Sequence, residues 1–232
     1  VQTCALPILN EMGDMEIAIS SMDIYDKMDI DFIKKHQLFD KAAQLKFGGL
    51  YSFKQRDYSI PTYQIMNLNV NTRDLYGDPN QILAPGNIWT PESNAGYYFS
   101  GRSQPQNEYD ATQHTIAAYI SSEFRPLEKL RAIVGLRGEK YMTFFNGTNS
   151  MASEVYDNEK TIDKLDLFPS VNLIYGLRES QNLRLSYSRT TARPSFKELS
   201  VVQIPDLLTG VIFLGNIDLV PTYINNLDLR YE

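Results

Sequence analysis

The chain has 232 residues, 43% of them hydrophobic and 22% charged, so nothing in its composition argues for disorder. Mean hydropathy is -0.32, and no apolar run approaches the roughly 18 residues a membrane helix needs. A strand that alternates apolar and polar residues averages to the same polar score, so a β-barrel stays open. The net charge of -6 comes without a basic stripe, which excludes a nucleic-acid partner, and two His with one Cys leave little for a metal site or a thiol nucleophile.

The opening VQTCALPI, residues 1–8, back-translates codon for codon into a common sequencing-library adapter. On that reading Cys4 holds no redox information and the protein proper occupies 9–232. The other end, Tyr231-Glu232, lacks a turn or polar tail, and both ends read as cuts.

From there the chain alternates with period two far more often than it shows helical spacing. A strand is expected near Met28 to Leu38, patterned less cleanly than the rest. Leu45, Phe47, Tyr51 and Phe53 then oppose Lys46, Ser52 and Lys54. The Gly48-Gly49 pair lies inside that strand, where a bend or close side-chain packing explains it better than a phosphate loop. Ile116, Ala118, Ile120 and Phe124 oppose Thr115, Tyr119, Ser121 and Glu123. Leu130, Ala132, Val134 and Leu136 oppose Arg131, Gly135, Arg137, Glu139 and Tyr141, with Ile133 an apolar intruder. Leu167, Val171, Leu173, Tyr175 and Leu177 share a face, with Phe168 and Ile174 as exceptions on the other. Leu183, Leu185 and Tyr187 face away from Arg184, Ser186 and Ser188, and Arg189 falls on the apolar parity at its strand's end. The last alternation sets Leu227, Leu229 and Tyr231 against Asp228, Arg230 and Glu232.

Strand length and loop length separate a membrane barrel from a soluble sandwich. Several runs reach about ten residues, enough for a tilted strand to cross a bilayer, where soluble strands average five or six. Tight turns at Arg125 to Glu128 and Arg178 to Gln181 alternate with long links at Ser59 to Glu108, Asn146 to Lys164 and Pro194 to Pro221. Short turns on one side and long loops on the other are the outer-membrane arrangement. The expected fold is all-β: part of a transmembrane antiparallel barrel, an open curved sheet of about seven meandering strands. The Leu/Val/Ile face meets outer-membrane lipid. Arg131, Arg137, Glu139, Arg184 and Arg230 form charge ladders on the inner face.

The segment LRLSYSRTTARPSFKELS, Leu183 to Ser200, resembles the TonB-dependent receptor family. So do GNIDLVPTYINNLDLRYE (Gly215 to Glu232), LKFGGLYSFKQR (Leu45 to Arg56) and AAYISSEFRPLEKLRAIVGLRGEKY (Ala117 to Tyr141). The resemblance implies a 22-stranded barrel, filled by an N-terminal plug domain and energised through the TonB system. This sequence contains neither plug nor TonB box, so the resemblance makes it a portion of the barrel wall. The implied function is uptake of a scarce nutrient such as a siderophore or glycan; a passive porin-like barrel and a soluble glycan-binding β-sandwich are the alternatives.

No catalytic constellation or cofactor motif is present, and the chain does not read as an enzyme. His36 and His114 have no companion ligands, and Asn146-Gly147-Thr148, although a sequon, is expected to be a turn. Ligand contacts are expected from the first long loop, at Arg73, Tyr76, Trp89, Tyr97, Tyr98 and Arg102, with Tyr63 nearby. Aromatics with a few arginines suit sugars, siderophores or cobalamin-like ligands.

Overall fold

A computed structural model describes residues 8–9, 14–16, 21–69, 84–102, 105–206 and 210–232. Its main body is one antiparallel sheet built from β3 (Ser21–Leu38), β4 (Lys41–Ser59), β7 (Glu108–Leu127), β8 (Leu130–Thr148), β9 (Val155–Arg178), β10 (Gln181–Ala192) and β13 (Thr222–Tyr231). The seven strands lie in the order β13-β10-β9-β8-β7-β4-β3, so chain neighbours are sheet neighbours and the sheet does not close. β3 and β13 form its two edges. Two small sheets have hydrogen-bond ladders separate from it. One joins β1 (Ile8–Leu9), β2 (Asp14–Glu16), β5 (Thr62–Leu68) and β6 (Gly96–Arg102); the other pairs β11 (Gln203–Asp206) with β12 (Val211–Leu214).

The tight turns share one end of the sheet. They lie at Phe39-Asp40, Glu128-Lys129 and Glu179-Ser180, between the paired strand ends. Phe39 and Asp40 have φ of 55° and 57°, the left-handed values that let a two-residue turn follow the strand twist. The strand ends that lead into residues 60–107, 149–154 and 193–221 share the opposite end. One expected long link proves short. β8 runs on to Thr148 and β9 starts at Val155, so most of Asn146 to Lys164 is strand, and the sequon Asn146-Gly147-Thr148 ends β8 instead of forming a turn. Polar residues on both faces disguised these extensions. Outside a bilayer neither face needs to be apolar, so the alternation that marks a strand fades while the backbone ladder continues.

Register fixes the two faces. Phe47, Ile120, Leu136 and Pro169 are cross-strand partners on the outer face, and Leu185 pairs with Leu173 and Leu229 there. These side chains stand in the open: Ile120 is 51% exposed and Leu136 44%. A soluble sandwich would bury them against a second sheet; among the described residues none covers them. Phe124 marks one end of the apolar band, 6.1 Å from Phe39. At the other end His114 lies 5.1 Å from Phe53 and 6.1 Å from Phe144, and Tyr51 meets its Nδ1 at 3.1 Å. Ten residues of β7 separate Phe124 from His114. At about 3.3 Å per residue and a tilt near 45° they span about 23 Å, close to the height of a barrel's lipid-facing band. Arg189, expected to be costly on this face, lies above the band with its guanidinium 4.9 Å from the Tyr223 ring.

Gly48 owes its presence to packing. Tyr119 lies across it on the inner face and donates from its hydroxyl to Asp31 at 2.8 Å. A Cβ on Gly48 would sit 2.8 Å from the Tyr119 ring and collide with the Ile30 carbonyl, whereas one on Gly49 would meet nothing closer than 3.6 Å.

Candidate functional site

The inner face carries the expected charges, and they pair with one another. Arg131 reaches Glu123 at 2.7 Å, Arg137 reaches Glu139 at 2.7 Å, and Arg184 and Arg230 meet Glu232 at 3.0 and 3.1 Å. Beside Glu139, the most enclosed of these charges, lies a group that sequence pattern did not single out. Arg193, just beyond β10, crosses β9 and pairs with Glu139 on β8, while its guanidinium lies 4.2 Å from the Tyr141 ring. Asp166 on β9 stands 4.0 Å from the same guanidinium, beyond hydrogen-bond length, and accepts from the Tyr223 hydroxyl at 2.8 Å. Glu139 and Asp166 are both buried, and Tyr141 passes its own hydroxyl proton toward Gln113 at 3.1 Å.

After Arg193 the chain folds back over this face. Ser195 caps the one-turn helix α1 (Phe196–Leu199) in a capping box: the Glu198 carboxylate accepts from the Ser195 N–H at 2.7 Å, and the Glu198 N–H donates to the Ser195 hydroxyl. The Ser195 N–H and hydroxyl on that carboxylate hold the Glu198 pKa below its ordinary value. Phe196 and Val202 pack on Tyr109, Ala111 and Phe145, and Leu199 packs on Tyr141 and Ile162. Burying each of the larger side chains contributes about 1.5–3 kcal/mol. Burial also pushes the neighbouring Tyr58 phenol, on the loop side of the aromatic band, up to about 12. Asn216 donates its N–H to the Glu198 carbonyl at 2.7 Å, and the chain passes so close there that a Cβ on Gly215 would sit 2.5 Å from that same oxygen. Residues 193–204 therefore form a strap on the inner wall at the long-loop end.

The expected ligand residues divide. Arg73 and Tyr76 lie outside the described residues. Trp89, Tyr97 and Tyr98 come together around β6: the Trp89 N–H donates to the Tyr97 carbonyl at 2.9 Å, and the Trp89 and Tyr98 rings are 6.4 Å apart. Adjacent strand positions point Tyr97 and Tyr98 to opposite faces, leaving Tyr97 5% exposed and Tyr98 39%. The Trp89 Nε1 and the Tyr97 hydroxyl are both enclosed without a hydrogen-bond partner. Tyr97 is thus part of the hairpin's packing, Tyr98 is presented outward, and Arg102 ends β6. Tyr63, 36% exposed, lies over Gly101, where a Cβ would sit 2.8 Å from its ring.

Residues 87–232 match the outer membrane protein beta-barrel family. Among solved structures the chain resembles the siderophore receptor PiuA from Acinetobacter baumannii, with a TM-score of 0.53 at 14% identity over 95% of this chain. It also resembles the FpvAI–pyocin S2 complex, with a TM-score of 0.52 at 16% identity over 96%. It spans 31% and 25% of those chains, and at such identities the likeness is one of fold. No curated protein matches the sequence.

Proposed function

This chain belongs to the outer membrane protein β-barrel family, and from that premise we propose that it forms part of the wall of a TonB-dependent uptake receptor. The reading is transport and not catalysis. The observation that carries it is the pairing of an exposed apolar outer face with an inner face of mutually paired charges, crossed by an inward strap and topped by an aromatic hairpin. A wall built this way keeps lipid outside and gives a polar solute an interior to traverse. The superposition of nearly the whole chain on a siderophore receptor supports the same reading, and a siderophore or glycan is the ligand class we favour. The plug domain and the TonB system are its proposed partners.

The test is energy-dependent uptake. Cells relying on this protein for a scarce siderophore or oligosaccharide should accumulate it only while the inner-membrane proton gradient and TonB are intact. Accumulation that survives an uncoupler and loss of TonB would replace this proposal with the passive porin-like one.

A further inference from the structure

The ladder between β9 and β10 ends halfway up the wall. Pairing runs from Gln181 to Ser188, where Ser188 meets Ser170, yet β9 continues upward to Val155 and β10 to Ala192. Pro169, the next residue of β9, has no N–H to offer a ladder. Above this level β10 stays paired with β13 as far as Ala192, so the two hairpins on either side of the seam are joined by side chains. Those side chains converge on one place. Arg193 reaches across β9 to Glu139 and Tyr141, and Tyr223 of β13 reaches Asp166 of β9.

We infer that Arg193 is a positioning residue: its guanidinium latches the strap of residues 193–204 to the inner wall where the β9–β10 ladder stops, and so sets how far the lumen is narrowed at the long-loop end. Geometry supports the assignment in two independent ways. The latch sits at the root of the strap, one residue beyond β10, while the apolar half of the strap, Phe196, Leu199 and Val202, packs over β7, β8 and β9 beyond it. Releasing the root leaves the strap held by that apolar turn, by the Asn216 N–H on the Glu198 carbonyl and by the β11–β12 pairing at its far end. Secondly, the contact is of a kind lysine reproduces poorly. The guanidinium lies 4.2 Å from the Tyr141 ring while meeting a buried carboxylate, two contacts that a planar guanidinium can make at once and a compact ammonium makes poorly. The consequence for passage rests on the proposed transport function; the latch itself does not.

Hydrogen–deuterium exchange on the full-length barrel folded in detergent tests it, with heat-modifiable gel migration confirming that the barrel is closed. In the wild type, the amides of Leu199 and Val202 should exchange on the slow timescale of β8 around Tyr141. In Arg193→Gln they should exchange about tenfold faster or more while β8 is unchanged, and Arg193→Lys should fall between. Equal acceleration of strap and β8 would show a general loosening of the wall and overturn the latch; so would unchanged exchange. Should Arg193→Gln fail to fold, the wild type decides: strap amides exchanging as fast as the 149–154 turn would refute the assignment. Exchange is read whether or not any nutrient is taken up, so a failure of transport leaves this result standing.

Discussion

Replacing Leu136 by arginine tests the assignment of faces. Leu136 is on the outer face, paired with Ile120 and Pro169, and 44% exposed. Its partner Ile120 stands four residues from Phe124 and six from His114 along β7. At about 3.3 Å per residue and a 45° tilt it lies roughly 9 Å and 14 Å from the two ends of the band, near its middle. Arginine at that depth costs about 2–4 kcal/mol, and the midpoint of the range is a factor of about 150 in the folding equilibrium. Ser186 is the control. It occupies the inner face opposite Asn172 and Asp228, so an arginine there gains a carboxylate across the strand and should cost less than about 1 kcal/mol. The assay is a urea titration of folding into phosphatidylcholine vesicles, read by heat-modifiable migration. Equal penalties at the two positions, or a larger one at Ser186, would mean the faces have been exchanged.

Three further outcomes follow from the geometry. Gly48→Ala should destabilise the wall by about 1–3 kcal/mol, because the Ile30 carbonyl cannot move aside, while Gly49→Ala should be near neutral in the same titration. The Glu198 carboxyl has a lowered folded pKa, so its contribution to the strap is present above the ordinary carboxylate range and is lost as pH falls through the lowered value. Exchange protection of α1 should therefore hold from neutral pH to about 4.5 and decline below it, and a decline beginning near pH 6 would contradict the capping role. Tyr98→Ala should weaken ligand binding about tenfold with the barrel intact, whereas Tyr97→Ala should loosen the β5–β6 hairpin itself; isothermal titration and exchange of β6 separate the two.

What the sequence determined by itself was every feature that repeats locally. Alternation in a strand of the wall is imposed by two different solvents on its two faces, so it is written into residues such as Leu130, Ala132, Val134 and Leu136 without reference to any partner. The seven strands, their faces, the order of turns and loops, and the charge ladders were legible for that reason. The solvated ends of β8 and β9 were not, because water on both sides imposes no pattern. The site was readable only as composition. Trp89, Tyr97 and Tyr98 stood out as aromatics, but whether a ring is buried or presented depends on strand parity within a hairpin whose two halves, β5 and β6, lie far apart in the chain. Arg193, Glu139 and Asp166 lie on three separate elements and share no spacing. Only the tertiary structure could bring them together, because a buried charge is stabilised by whichever partner the fold delivers, and nothing in local sequence specifies that partner.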